Sequence, residues 1–231
     1  MESEYTPFGH ALLDYHHNPG DQELTVHLDM AETDTLPAGY FFRGEAQMPE
    51  LELLALDHCR GKILDVGAGA GAHSTALIGR GFEVTALEQD HGAAEVLRAR
   101  GIPCVESRFL AYEPEEKYDT LLFLMNGMGV AAQLNRLAPM LEYTKELMAP
   151  GAQVLVDSSD LSYMYDGIEN TEDYYGDVEY TFEYNGQTGT SFPWLFVDFP
   201  MLKKVAESVG FAVEKIKEGP HYDYLAKMTV G

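Results

Sequence analysis

The sequence predicts an α/β fold in which helices flank both faces of a mostly parallel sheet, the doubly wound arrangement. Two observations carry this prediction. Short apolar runs alternate with helix-compatible stretches at a spacing that favours right-handed βαβ units, and a glycine-rich segment follows the first apolar run directly. This core extends from about Glu50 to Val156.

Four aliphatic runs have the length and composition of central strands. Runs that are apolar on both sides of the pleat suit parallel strands with both faces covered. The four runs are Lys62–Val66, Glu83–Leu87, Asp119–Leu124 and Gln153–Val156.

Three stretches between these runs are predicted to be helices. The first follows the glycine-rich segment, and the second stops at Gly101. In the third, Pro139 is placed at the first helical position, and Pro150 with Gly151 ends the helix. The predicted helices are His73–Arg80, His91–Arg100 and Pro139–Met148.

The flanking segments follow other patterns. Residues 1–49 contain turn signals at 18–20 and 36–37 and an aromatic cluster at 40–42, and we interpret them as an N-terminal cap. Residues 178–184 alternate as a strand, and the Asn185-Gly186 pair that follows predicts a small inserted β-hairpin. The C-terminal part is predicted to form a helix, 201–209, and two strands, 212–217 and 224–230.

Composition and charge restrict the partners. The 231 residues include 38 acidic and 15 basic side chains, which gives a formal net charge of −23, and 45% of them are hydrophobic. A surface this acidic repels phosphate backbones and anionic lipids, so we expect no nucleic-acid partner and no membrane partner. The first ten residues lack the basic start and apolar stretch of a signal peptide. Cys59 and Cys104 form neither a disulfide scaffold nor a zinc motif, so we expect a cytoplasmic protein without a metal site.

The segment from Leu64 to Ser74 predicts a nucleotide-binding loop, because it lies between a predicted strand and a predicted helix. Glycines allow tight turns and close approach of a ligand, and the helix N-terminus behind them offers free N–H groups. Glu88 lies 21 residues after Gly67, where a carboxylate can accept hydrogen bonds from ribose hydroxyls.

Two classes of nucleotide fit this loop. Gly67, Gly69 and Ala72 satisfy the dinucleotide fingerprint, so an NAD(P)-dependent oxidoreductase is one alternative. Three features disfavour it. Asp65 would repel a pyrophosphate, a further glycine follows at Gly71, and little of the chain is left to build a separate substrate domain.

Several motifs resemble those of class I S-adenosylmethionine-dependent methyltransferases. Residues 65–71 (DVGAGAG) resemble the first motif, 84–88 the second, 118–127 the fourth strand and its loop, and 147–157 the helix end and fifth strand, with Ala152 in place of a glycine. The resemblance covers about residues 50–160 and implies a Rossmann-like methyltransferase fold with a seven-stranded sheet. We accordingly predict one domain over 1–231, made of a cap (1–49), a nucleotide-binding core (50–157), a substrate-side insertion (158–200) and a C-terminal helix and strands (201–231).

The resemblance also implies that S-adenosylmethionine is the cofactor and S-adenosylhomocysteine the product. Asp65 would order the loop or accept a hydrogen bond from the cofactor's amino group, and Glu88 would hold its ribose. Met125 and Asn126 would lie near the methionine portion and the methyl group. The backbone N–H of Phe109 would meet the adenine, since Ser107 or Arg108 occupies the position of the usual acid. The predicted cofactor-binding set is Asp65, Gly67, Ala68, Gly69, Gly71, His73, Glu88, Gln89, Phe109, Met125, Asn126 and Arg43.

The remaining chemistry-bearing residues allow more than one interpretation. Asn126, Asp157 and Asp160 follow strands at the edge where open α/β sheets bind ligands, so they are candidates for a catalytic base; capping of the turn is the alternative for the two aspartates. His73 either lies near the cofactor carboxylate or only begins a helix. Arg43 either pairs with that carboxylate or forms a surface ion pair.

The charge pattern bears on the methyl acceptor. Residues 1–42 and 146–202, the segments expected to cover the active site, contain no lysine or arginine, and six tyrosines lie within 158–185. Acid and aromatic surface suits an amine or another cationic molecule; the alternative is a solvated acidic surface whose tyrosines pack the hairpin. We predict methyl transfer from S-adenosylmethionine to a small, non-anionic acceptor such as an amine, or to a protein side chain. The alternatives are an NAD(P)-dependent oxidoreductase, a non-catalytic S-adenosylmethionine-binding module and an aminopropyl transferase.

Overall fold

The computed structural model describes residues 5–29, 33–165 and 174–231. Within these ranges the α-helices are α1 (Pro7–His17), α2 (Glu50–His58), α3 (Ala72–Gly79), α4 (His91–Ala99), α5 (Leu134–Leu147) and α6 (Phe199–Ser208). The strands are β1 (Glu23–Leu28), β2 (Asp34–Pro37), β3 (Lys62–Val66), β4 (Glu83–Glu88), β5 (Cys104–Glu106), β6 (Tyr118–Phe123), β7 (Met148–Ser159), β8 (Asp177–Tyr184), β9 (Gln187–Thr188), β10 (Phe192–Leu195), β11 (Phe211–Glu218) and β12 (Asp223–Val230). Short 3₁₀ helices cover Ala38–Phe42, Glu45–Gln47, Phe109–Ala111, Gly127–Ala131 and Ser162–Tyr165.

The chain divides into two compact units. The first comprises Met1–Met48, Gly67–Tyr112 and Glu179–Phe192, and the second comprises Pro49–Val66, Glu113–Val178 and Pro193–Gly231. Strands β3 to β7, β11 and β12 belong to a seven-stranded, mostly parallel sheet, which confirms the predicted fold class.

The second unit contributes five of these strands, in the order β11, β12, β7, β6 and β3. β3, β6 and β7 run parallel, with Leu64 opposite Leu121 and Leu121 opposite Val154. Their central side chains are fully buried, as expected for apolar runs covered on both faces. β12 is antiparallel to both of its neighbours. The register between β6 and β7 shifts around Pro150 and Gly151, so this pair lies in an irregular start of β7 rather than in a loop.

The third helix begins earlier than the sequence predicted. We placed its start at Pro139, but α5 begins at Leu134 and Pro139 lies inside it. The buried residues of α5 are Leu137, Met140, Leu141, Thr144 and Leu147, so its apolar stripe starts before the proline. The N–H of Leu134 also donates to the Asp177 carboxylate at 2.7 Å, which satisfies one of the free donors of the first turn.

The predicted hairpin is present and belongs to a second sheet. Asn185 and Gly186 have φ values of 50° and 75°, as a two-residue hairpin turn requires, and Tyr184 pairs with Gln187 across it. β8 also pairs antiparallel with β1, whose other edge pairs with β2. The N-terminal segment and the hairpin therefore complete one sheet, a relationship that the sequence did not indicate.

Residues 1–49 contain more regular structure than predicted. Thr6 caps α1 by accepting from the N–H of Gly9, and Pro7 takes the first helical position, where its missing N–H costs nothing. Leu36 and Pro37, which we interpreted as a turn, are the last residues of β2. β2 is an edge strand, and an edge strand tolerates a proline because its outer N–H has no partner strand.

Among the described residues, no helix combines the length and hydrophobicity needed to cross a membrane. Both cysteines are free thiols, with Cys59 buried and Cys104 partly buried. No group of three or more His, Cys, Asp or Glu side chains in the described ranges could hold a metal ion.

Candidate cofactor site

The glycine loop lies in the first unit, directly before α3. Gly67, Gly69 and Gly71 have φ values of 71°, 55° and 84°, a region that side-chain-bearing residues rarely adopt. The N–H groups of Gly67 and Ala68 donate to the Leu87 carbonyl oxygen at 2.9 and 3.2 Å. These two bonds fix the start of the loop to the end of β4.

The three glycines face different surroundings. A Cβ at Gly71 would lie 2.5 Å from Ile102 Cδ1 and 2.6 Å from Leu97 Cδ2, so this glycine lets the loop pack on the core. A Cβ at Gly67 would meet no atom within 4 Å. Gly67 therefore presents open backbone that a ligand can approach.

Glu88, the last residue of β4, binds the loop through its side chain. Its Oε2 accepts from the N–H of Gly69 at 2.8 Å, and its Oε1 accepts from the N–H groups of Gln89 and Asp90 at 2.7 and 2.8 Å. A carboxylate has about four lone-pair positions. The three bonds leave one position on Oε2, where a ribose hydroxyl can donate.

Burial shifts the titration of this carboxyl group. Glu88 is 6% exposed, and desolvation raises its pKa to about 7 against the opposing effect of the three backbone N–H groups. The side chain is therefore divided between the neutral and charged forms near neutral pH. The charged form is the one with both oxygens available as acceptors.

Aromatic rings cover the loop from the N-terminal segment. A Cβ at Gly69 would lie 3.4 Å from Phe41 Cδ1 and 3.8 Å from Phe8 Cζ. The Phe8 ring contacts the Phe41 ring edge-on, with centroids 5.1 Å apart, and stacks on Phe182 at 5.6 Å. These rings form an apolar wall beside the loop, a surface that suits a purine or the thioether part of a ligand.

Three other predicted residues of the first unit, Arg43, His73 and Phe109, are buried. Arg43 is 6% exposed, so it does not lie on the surface; its guanidinium lies over the Tyr40 ring at 3.9 Å and donates to the Tyr40 carbonyl oxygen at 2.5 Å. It lines a cavity of about 360 Å³ with Tyr15, Phe42 and Gln47. His73 is buried in the first turn of α3, and Phe109 is buried at the start of its 3₁₀ helix.

Five further candidates lie in the second unit. Asp65 is buried in β3, opposite Leu122 of β6. Met125 and Asn126 follow β6 and both have positive φ values, 62° and 57°. The N–H of Asn126 donates to Asp157 Oδ1 at 2.7 Å, so Asp157 holds this turn.

Asp160 belongs to a cluster that the sequence did not predict. The Tyr175 hydroxyl oxygen lies 3.0 Å from Asp160 Oδ1 and 2.8 Å from Asp198 Oδ2, and the Tyr174 hydroxyl donates to Asp198 Oδ2 at 2.5 Å. Asp198 also caps α6 by accepting from the N–H of Met201. The Asp198-Phe199-Pro200 sequence is typical of a capped helix start and could have located Asp198, but not its tyrosine partners.

Comparison with solved structures identifies the family. The chain is 37% identical to the S-adenosylmethionine-dependent methyltransferase from Bacteroides fragilis, whose crystal structure is a complex with S-adenosyl-L-homocysteine. The match covers 100% of this chain and 97% of that chain, with a TM-score of 0.92. The chain belongs to the S-adenosylmethionine-dependent methyltransferases.

More distant structures share the fold of this methyltransferase. The sugar N-methyltransferase KedS8 from Streptoalloteichus is 14% identical, with coverage of 87% of this chain and 96% of that one and a TM-score of 0.62. The CcbJ methyltransferase from Streptomyces caelestis is 13% identical, with coverage of 82% and 99% and a TM-score of 0.61. No family model and no curated protein matches the chain.

S-adenosylmethionine is accordingly the cofactor of this methyltransferase, and the nicotinamide alternative is wrong. The loop residues are suited to it: Gly67 leaves its open side free, and Glu88 keeps one acceptor position on Oε2. Within the first unit, the structure brings together Gly67, Ala68, Gly69, Gly71, Glu88 and Gln89. Their individual contacts with the cofactor remain predictions.

The tyrosines of residues 158–185 have different partners where the structure describes their side chains. Tyr180 packs against Phe182 and Phe192, and burial raises its pKa to about 12. Tyr184 donates to Asp14 at 2.9 Å. Tyr163 is exposed and stacks on Tyr222, and the side chain of Tyr165 lies outside the described residues. Tyr174 and Tyr175 both contact Asp198, and Tyr175 also contacts Asp160.

Proposed function

We propose that this methyltransferase transfers the methyl group of S-adenosylmethionine to the nitrogen of a small amine. The cofactor supplies a methyl group already activated on a sulfonium sulfur, so the protein has mainly to position the acceptor and exclude water. The observation that carries the choice of an amine is the pair of carboxylates, Asp160 and Asp198, that share the Tyr175 hydroxyl.

The cluster has more hydrogen-bond acceptors than hydroxyl hydrogens, which favours a cationic ligand. Tyr175 has one hydroxyl hydrogen and two carboxylate oxygens within 3.0 Å, so it can donate to only one of them. Burial and the neighbouring Asp198 raise the pKa of Tyr175 far above its usual range, which keeps the hydroxyl neutral. The cluster therefore retains negative charge and acceptor capacity that an ammonium group can use.

Position and surrounding charge support the same acceptor. Asp160 directly follows β7, and open α/β sheets bind ligands outside the carboxyl ends of their strands. Residues 146–202 supply acidic side chains but no lysine or arginine to neutralise them. A carboxylate or phosphate acceptor would meet only like charge in this segment.

The same carboxylates suit the proton chemistry of the transfer. An amine binds mainly as an ammonium ion, and its nitrogen must lose a proton before it can form a bond to the methyl carbon. Asp160 would hold the ammonium group and accept that proton or pass it to water. As the new N–C bond forms, the C–S bond breaks and its electron pair stays on sulfur.

The test is a matched acceptor panel assayed with methyl-labelled S-adenosylmethionine. One aryl-alkyl scaffold is presented as the amine, the alcohol and the carboxylate, with a lysine-containing peptide as a fourth acceptor. We expect label transfer to the amine, with a kcat/KM at least about tenfold above that of the alcohol, and no transfer to the carboxylate.

Variants link the preference to the cluster. Asp160→Asn keeps the shape but removes one charge, and we expect KM for the amine to rise about tenfold, typical for loss of a charged hydrogen bond. Glu142→Gln, which removes an exposed charge paired with Lys145, is the matched control and should leave KM unchanged. Faster transfer to the carboxylate or transfer to the peptide alone would overturn the proposal.

We also propose a small-molecule partner and a cytoplasmic location, without nucleic-acid or membrane partners. The net charge of −23 and the two free cysteines support this. Fractionation of cells expressing the tagged protein, with RNA crosslinking in parallel, checks both points.

A further inference from the structure

The turn after β6 contains two consecutive residues in a conformation that is unfavourable for both. Met125 has φ 62°, and Asn126 has φ 57° and ψ 44°. In this left-handed region Cβ approaches the following carbonyl oxygen, a cost that glycine avoids and that asparagine bears better than methionine. Such conformations persist where the surrounding structure holds them, and they concentrate at ligand sites.

Two residues of β7 hold this turn. Asp157 Oδ1 accepts the backbone N–H of Asn126 at 2.7 Å, and the Ser159 hydroxyl donates to Asn126 Oδ1 at 3.0 Å. β7 lies next to β6, with Phe123 opposite Val156, so both side chains come from the end of the neighbouring strand. One bond fixes the backbone of Asn126 and the other fixes its side-chain amide.

The position of the turn points to ligand binding. β6 and β3 are adjacent parallel strands, and the chain continues from β3 into the glycine loop. In the sequence, β3 is followed by β4 and β5. In the sheet, however, the second unit places β6 next to β3 and β7 next to β6. Ligands of open α/β sheets bind outside the carboxyl ends of the strands at such a reversal of order.

We propose that Asp157 and Ser159 are positioning residues that hold Met125 and Asn126 in the left-handed conformation required for binding S-adenosylmethionine. Without the two bonds the turn relaxes, and only a fraction of molecules remains competent to bind. The apparent dissociation constant rises by the inverse of that fraction. This inference goes beyond the proposed function and does not depend on which acceptor is methylated.

The test measures S-adenosylhomocysteine binding by isothermal titration calorimetry, which needs no acceptor. Asp157→Ala removes the bond to Asn126, and we expect about tenfold weaker binding, equivalent to about 1.4 kcal/mol. Asp157→Asn keeps an oxygen acceptor at the same place, so its dissociation constant should stay within about threefold of the wild type. If Asp157 acted only as a catalytic base, neither substitution would change the dissociation constant.

A glycine background separates positioning from general stability. Glycine adopts positive φ without strain, so in Asn126→Gly protein the Asp157→Ala change should weaken binding by less than about threefold. If Asp157→Ala does not fold, Asp157→Ser replaces it, because the shorter side chain does not reach Asn126. An equal loss in both backgrounds, or no loss in either, would overturn the proposal. Thermal unfolding of each ligand-free variant shows that the compared proteins are folded.

Discussion

The carboxylate of Glu88 accepts a 2.8 Å hydrogen bond from the backbone N–H of Gly69. This bond joins the end of β4 to the middle of the glycine loop, so one side chain shapes the loop and also presents an acceptor beside it. The other oxygen of Glu88 is occupied by the N–H groups of Gln89 and Asp90. We therefore expect cofactor binding and the local fold to depend on the same carboxylate.

Glu88→Gln is expected to impair both stability and binding. The amide NH₂ must face at least one backbone N–H that the carboxylate now binds, so the free energy of unfolding should fall by about 1–3 kcal/mol. S-adenosylhomocysteine binding should weaken at least tenfold. Calorimetric titration and thermal unfolding measure the two effects. Glu106→Gln removes a more exposed carboxylate paired with Arg98 and should change neither by much.

The pH dependence of cofactor binding should report the raised pKa of Glu88, about 7 against 4.5 for the unfolded chain. Because the folded state holds this proton more tightly, the ligand-free protein loses stability as pH rises from about 4.5 to 7. Binding has the opposite trend. A proton on Oε2 competes with the ribose hydroxyl, so affinity should rise as pH increases towards 7 and level off above it. Titrations between pH 6 and 8 test this, and a steady affinity, or a rise retained in Glu88→Gln, would contradict it.

Alanine substitutions should separate the roles of two loop glycines. Gly71→Ala places a methyl group against Leu97 and Ile102, so it should destabilise the fold by about 1–3 kcal/mol. The methyl group of Gly67→Ala would lie in open space, so the free energy of unfolding should fall only by the cost of the positive φ, about 1 kcal/mol. The same substitution should weaken S-adenosylhomocysteine binding at least tenfold. Thermal unfolding and calorimetry distinguish the two outcomes. Equal effects on stability would contradict the assignment.

A double-mutant cycle should detect the link between α1 and α4. The Thr6 hydroxyl donates to Asp90 Oδ2 at 2.5 Å, while Asp90 Oδ1 caps α4 by accepting from the N–H of Ala93. Thr6→Ala and Asp90→Ala each remove a helix cap and should cost about 1 kcal/mol. Their combined cost should differ from the sum by at least about 0.5 kcal/mol, measured by denaturant unfolding. Strict additivity would show that the two caps act independently.

The core of the fold was predictable because its signals are local. The apolar run at β3 is followed directly by the glycine loop, and the run at β4 ends at the acidic residue Glu88. The Asn185-Gly186 pair is by itself a signal for a hairpin turn. The start of α5 was missed because a proline in a helix interior is rare, and the stripe that begins at Leu137 outweighed that rule. Its extent is visible only once the buried face is known.

The parts of the site that depend on distant contacts could not be predicted. Nothing near Val26 in the sequence indicates that β1 pairs with β8, with Val26 opposite Phe182. Likewise, Asp160 and Asp198 are 38 residues apart, and only the folded chain brings both to the Tyr175 hydroxyl. Glycine spacing predicts a ligand loop because the loop uses consecutive residues, whereas the cluster that we propose for the acceptor combines residues from separate segments.

The central claim is that this methyltransferase binds S-adenosylmethionine at the glycine loop, and a thermal-shift titration tests it most directly. S-adenosylhomocysteine at a hundredfold excess over its dissociation constant adds ~2.7 kcal/mol to the stability of the native state. For a chain of this length, Tm should rise by roughly 5–11 °C. NAD⁺ should leave Tm unchanged, and Gly67→Ala should greatly reduce the shift with S-adenosylhomocysteine. A shift with NAD⁺ alone, or a full shift in Gly67→Ala, would contradict the account.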